Sequence, residues 1–156
     1  MSRHEARLSW RSDGQFATGR YSRRHEWRFD GGAAVVGSSS PTVVPVPMSD
    51  PAGVDPEEAL VAAVASCHML WFLDLARRAG FAVSEYEDAA EGEMGRVAPE
   101  RMAMTRIALR PRIAFEGQPP SGEELARLHE EAHARCFIAN SLKTEVVVES
   151  PAPSPI

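Results

Sequence analysis

One stretch constrains the fold of this 156-residue chain more than any other. From Ala59 to Leu73, fifteen residues (Ala-Leu-Val-Ala-Ala-Val-Ala-Ser-Cys-His-Met-Leu-Trp-Phe-Leu) carry no formal charge and are apolar around the whole circumference of a helix. The flanks read as helix ends. Asp55 suits the capping position, Pro56 the first helical position, and Glu58 completes an Asp-x-x-Glu capping box. Glu57 and Glu58 at the start and Arg77 and Arg78 at the end complement the macrodipole, and Gly80 stops the helix. The predicted helix runs from Pro56 to Ala79, a rod of about 38 Å. A helix that is apolar all round must be buried on every side. A domain of this size has too little material to wrap such a rod, so a second chain is expected to cover one face. The uncharged run falls short of the roughly 18 to 20 residues that cross a bilayer, and no membrane span is expected.

Proline punctuates the rest. Five of the 12 prolines (Pro41, Pro45, Pro47, Pro51, Pro56) crowd one stretch, and three more (Pro151, Pro153, Pro155) close the chain. Each removes a backbone donor and fixes φ, so both stretches read as loop or extended chain. The expectation is a single domain over 1–150 with a frayed Pro-rich tail over 151–156. His4–Trp10 and His25–Phe29 alternate like strands, and Asp30-Gly31-Gly32 turns into a further strand at Ala33–Gly37. After the long helix, Ala82–Met94 and Met102–Phe115 read as two strands joined around Gly95–Arg101. An amphipathic helix from Ser121, with Glu124 as its capping-box partner, runs to about Arg135, and a last strand covers Lys143–Glu149. This order of elements is α+β.

Charge and cysteine usage narrow the function. Lys and Arg total 17 against 22 Asp and Glu, a net charge of −5. Nucleic-acid binding needs a basic face and is not expected. The charged N-terminus lacks the apolar core of a secretory signal, which points to a reducing cytoplasm. Two cysteines cannot build a disulfide scaffold or a Cys-rich zinc site, but they can form a redox pair.

Cys67 lies in mid-helix, ten residues past Glu57, where the helix N-terminus is too far away to stabilise a thiolate. Its plain reading is a buried structural thiol. Its reactive reading needs a cation from elsewhere, and Arg23 and Arg24 are candidates. Cys136, 69 residues on, is core packing or a resolving thiol. His68 adjoins Cys67, but neighbouring helical side chains diverge by about 100°, so a Cys–His dyad is disfavoured against a satisfied or solvent-edge histidine. His129-Glu130-Glu131-Ala132-His133 matches H-E-x-x-H, with Glu130 as the general base of a zinc hydrolase. Only Glu145 and Glu149 offer a third ligand downstream, and the plainer reading is a solvated helix face beside a buried stripe of Leu125, Leu128 and Ala132.

Taken together, Val54-Asp-Pro-Glu-Glu-Ala-Leu60, Ala-Ala-x-Ala-Ser-Cys67 and Cys136-x-x-Ala-Asn-Ser-Leu142 resemble the OsmC/Ohr family of thiol peroxidases. The likeness extends over nearly the whole chain in its order of elements. One departure is Phe137, where that family usually has proline after the second cysteine. The resemblance implies antiparallel sheets packed around a long buried central helix, in an intertwined homodimer with active sites at the subunit interface. It implies reduction of hydroperoxides, often organic ones, without metal or flavin, and with an external dithiol such as a lipoyl group as reductant. Carried over, Cys67 is the peroxidatic cysteine, Cys136 the resolving one, and Glu57 the acidic partner of an activating arginine. Tyr21-Ser-Arg-Arg-His-Glu is the matching arginine stretch, with Arg23 taken as the activating residue and Arg24 at the substrate. Met69, Trp71 and Phe72 could line an apolar pocket for an alkyl peroxide, although helical spacing more often makes such residues plain core. The alternatives are a non-catalytic binding dimer of the same fold and the zinc hydrolase.

Overall fold

The long helix forms where the capping residues place it. In the computed structural model, which describes residues 2–149, α1 spans Pro56–Arg78. The Glu58 N–H donates to Asp55 Oδ1 at 2.7 Å and the Asp55 N–H to Glu58 Oε2 at 3.1 Å, closing the capping box. Gly80 ends the helix at φ +87°, a conformation that disfavours a Cβ. The expected Pro-rich tail over 151–156 lies outside the described residues.

The chain divides into two units, the first ending at Ala59 and the second beginning at Leu60. The first holds an antiparallel sheet of β1 (Ala6–Ser9), β2 (His25–Phe29) and β3 (Ala34–Gly37), with β2 in the centre. β1 is shorter than its alternation predicts, because only these four residues find partners on β2. Gly32 makes the β2–β3 turn at φ +90°. Gly37 has no room for a side chain: a Cβ there would lie 2.5 Å from Trp27 Nε1 and 2.6 Å from His25 Nε2.

In the second unit the two long strands expected between residues 82 and 115 are four. They are β4 (Ala82–Asp88), β5 (Glu91–Ala98), β6 (Arg101–Leu109) and β7 (Pro111–Glu116). β5 and β6 meet in a tight turn at Pro99-Glu100, where Glu100 adopts φ 58°, so Gly95 lies inside β5 and not in the joint. The ribbon breaks at Ala89-Ala90 and Arg110: Pro111 has no N–H to donate, and the Arg110 N–H donates to Asp88 Oδ1 at 2.7 Å. β4 therefore pairs with β7, while β5 and β6 form a separate sheet with β8 (Glu145–Val148). The β6–β8 pairing is parallel, against the expectation of antiparallel sheets, because the chain crosses over through β7 and α2 (Gly122–Arg135) before returning.

The break gives the unit two cores, both seated on α1. Phe72, Leu75 and Ala76 pack with Leu128 and Ala132 of α2 over the β4–β7 pair, and Val64 packs with Ile107 and Leu109 of β6. At Gly92 a Cβ would lie 2.6 Å from Val61 Cγ2, so β5 lies flush on the helix. By length and composition alone α1 could cross a bilayer, yet it is the spine of these two cores. A single chain buries one stripe only (Val64, His68, Phe72, Leu75, Ala76) and leaves Leu70 61% exposed beside Ala62, Ala63 and Ser66.

Candidate active site

The two cysteines meet. Cys67 on α1 is half-buried, Cys136 is 1% exposed, both are free thiols, and Cys67 is near enough to Cys136 to act on its thiol. Cys136 caps the C-terminus of α2, its N–H donating to the His133 carbonyl at 3.1 Å. Its Sγ accepts the Ala139 N–H at 3.4 Å from the short 3-10 turn Ala139–Ser141. Burial pushes the Cys136 thiol above its usual range, and the neighbouring Cys67 adds to that. A mid-helix residue and a helix cap thus form one pair, in which Cys67 is the more exposed residue and Cys136 the buried one.

The surroundings of the pair are aromatic. Trp71, one turn beyond Cys67, stands edge-on to Phe137, and the Arg135 guanidinium lies 5.7 Å from the Trp71 ring centre. Met69 is half-buried. Phe72 is fully buried and stacks on the His129 ring, centroids 4.5 Å apart, so it is plain core.

The histidines are arranged differently from the sequence reading. His129 and His133 do not sit on a solvated face: His129 Nδ1 lies 3.0 Å from His68 Nε2, and His133 Nδ1 is buried. Spacing allowed this, since His129 falls on the same i, i+4, i+7, i+11 stripe as Leu125, Ala132 and Cys136. Burial, and then the charges that His129 and His133 would carry, push His68 down to about 4. Burial likewise pushes His129 to about 4. Both imidazoles are therefore neutral at pH 7. No group of three His, Cys, Asp or Glu side chains with metal-holding geometry occurs among the described residues, so the H-E-x-x-H pattern acquires no third ligand. His129, His133, Glu130 and Glu149 instead border a cavity of about 560 Å³ walled by Leu125, Val146 and Val148.

In the first unit, Arg23 and Arg24 have different surroundings. Arg24 is ion-paired with Asp50. Arg23 lies over the Tyr21 ring, 3.6 Å from its centre, and donates to the carbonyls of Tyr21 at 2.5 Å and Gly19 at 3.3 Å. Among the described residues, neither Arg23 nor Glu57 makes a hydrogen-bonded ion pair. With Trp10, Phe16 and His25, Arg23 lines a cavity of about 380 Å³. The Trp10–Phe16–Tyr21 cluster, with centroids 5.0 to 5.8 Å apart, was missed in the sequence, because those residues share no period.

The sequence profile of OsmC-like proteins matches residues 49–150, which hold both cysteines, α1, α2 and both sheets of the second unit. The chain belongs to the OsmC-like family. An OsmC-like protein of unknown function from Vibrio cholerae is 46% identical over 96% of this chain and 99% of its own, with a TM-score of 0.93. An organic hydroperoxide resistance protein from Legionella pneumophila is 14% identical, covers 97% of this chain and 98% of its own, and superposes at a TM-score of 0.72. One from Elizabethkingia anophelis is 16% identical over 97% and 98%, at 0.71. At those identities the two hydroperoxide resistance proteins share the fold. A comparison with curated proteins returns no relative. The α+β OsmC-like architecture expected from the sequence is thus present.

Proposed function

We propose that this OsmC-like protein is a cysteine-based thiol peroxidase that reduces organic hydroperoxides. The reading is carried by the proximity of a half-buried Cys67 to a buried Cys136, brought together from α1 and the cap of α2. The Cys67 thiolate attacks the outer oxygen of R–O–OH; the O–O bond breaks, the sulfur is oxidised to sulfenic acid, and the alkoxide leaves with a proton as ROH. The Cys136 thiol then attacks the sulfenic sulfur, forming the Cys67–Cys136 disulfide and releasing water. An external dithiol, such as a lipoyl group, takes the disulfide's place by exchange and restores both thiols.

Arg23 supplies the guanidinium in this reading, with Glu57 as its carboxylate partner. A guanidinium stays charged and can hydrogen-bond both a thiolate and a peroxide oxygen. Arg24, held by Asp50, is the less available of the two. The working form is a homodimer in which a second copy covers the open face of α1 around Leu70.

The deciding experiment is stopped-flow reaction of the reduced protein with cumene hydroperoxide and with hydrogen peroxide, counting free thiols before and after. Rapid loss of both thiols per chain, abolished in Cys67→Ser, supports the peroxidase. Survival of both thiols in excess peroxide for minutes would leave a binding dimer of the same fold.

A further inference from the structure

Disulfide formation between Cys67 and Cys136 requires α2 to keep its register on α1. The helices share a core in which Phe72, Leu75 and Ala76 cluster with Leu128 and Ala132. Such packing is non-directional and tolerates small slides. One polar link is directional: His68 Nε2 to His129 Nδ1 at 3.0 Å, with the rings stacked at 11° and centroids 5.3 Å apart. His68 is 1% exposed and adjoins Cys67 on α1. On α2, His129 and Cys136 are seven residues apart, two helical turns, and so share a face.

The tautomer follows from what is left unpaired. His68 Nδ1 is buried without a partner. If His68 accepted the bond through Nε2, its Nδ1–H would be a buried donor without an acceptor, the costlier arrangement. His68 therefore donates through Nε2–H, and His129 accepts at Nδ1. Both rings are kept neutral at pH 7 by burial, so the donor–acceptor pair persists there.

We propose that the His68–His129 hydrogen bond is a positioning device for disulfide formation, registering α2 on α1 so that Cys136 stays opposite Cys67. The proposal rests on the thiol-peroxidase reading for its kinetic consequence; its consequence for the disulfide equilibrium stands on the geometry alone.

The test uses shape-matched substitutions of His129. Asparagine and leucine side chains have nearly the same outline, but only asparagine presents an oxygen close to the position of His129 Nδ1. Wild type, H129N and H129L are equilibrated with oxidised and reduced glutathione. Two protein thiols give two electrons and two protons to one glutathione disulfide, yielding the Cys67–Cys136 bond and two glutathione thiols. H129N is expected to keep the effective concentration of one cysteine at the other within about threefold of wild type, and H129L to lose about tenfold or more. Equal values for the two variants would overturn the proposal. Should H129L not fold, H68Q and H68M repeat the comparison from the donor side, since glutamine donates near the position of Nε2 and methionine does not; equality there overturns it equally. With peroxide, sulfenic acid trapped by dimedone should outlive wild type in H129L and not in H129N. A protein whose thiols oxidise with glutathione but not with peroxide would sink the peroxidase reading and leave the positioning comparison intact.

Discussion

The Phe137 ring stands edge-on to the Trp71 indole, with centroids 5.6 Å apart and planes at 83°. Phe137 follows Cys136, and Trp71 is one turn from Cys67. The contact thus ties the segment after Cys136 to the helix that carries the other thiol.

Removing that tie should loosen the segment more than the fold. Phe137 is mostly exposed, so Phe137→Ala should cost about 1 kcal/mol of stability, the worth of an aromatic pair. Urea denaturation of the reduced protein measures the loss. The same variant should slow closure of the disulfide after peroxide addition, which thiol counting follows in time. A variant with wild-type stability and wild-type closure would show that the edge-on contact contributes nothing.

Acid should destabilise the second unit through its histidines. Burial lowers His68 and His129 from the ordinary 6.5 to about 4 in the folded chain. The unfolded chain takes up these protons first. The stability is therefore full above pH about 6.5 and lost as pH falls toward 4, at about 1.4 kcal/mol per pH unit for each histidine at most. Asp88, raised chiefly by burial, works in the opposite direction at lower pH. The check is the urea midpoint at pH 7 and pH 5 in wild type and in H129N, where one titrating ring is gone. The variant should show the shallower pH dependence.

Leu70 should matter to association and not to the fold of one chain. Its side chain is exposed on the uncovered face of α1. Leu70→Glu should leave the circular dichroism spectrum unchanged and shift sedimentation from dimer toward monomer. A dimer that survives the charge would place the second copy elsewhere.

The two arginines should separate in kinetics. Arg23→Ala is expected to slow loss of the first thiol with cumene hydroperoxide about a hundredfold or more, on the scale of a lost electrostatic stabiliser. Arg24→Ala, which breaks only the Asp50 pair, should slow it much less. Glu57→Gln should resemble Arg23→Ala in a weaker form. Reversal of the two arginines would move the register of the activating residue by one position.

Much of the fold is legible in the sequence, because its signals are local. Asp55 and Glu58 meet across one helical turn, as do Ser121 and Glu124, so both helix starts follow from neighbouring residues. The β2–β3 turn needed only Asp30-Gly31-Gly32. The split of two long strands into four depended on Arg110 reaching back to Asp88, which no local period reports. For the site, the two cysteines were recognisable by residue type and spacing from the helix start, and their contact needed the fold.

Local sequence signals were enough to place the start and end of α1, its all-round apolar surface and the two thiols the chain carries. These depend on capping, charge placement and side-chain chemistry within a few residues. It took the folded chain to show that His129 turns inward to His68, that Phe72 is core, and that Cys136 is buried while Cys67 is more open. Each of those is a matter of which helix face meets which neighbour. A pattern with a period of 3.6 residues marks the faces of a helix without saying what lies across from them.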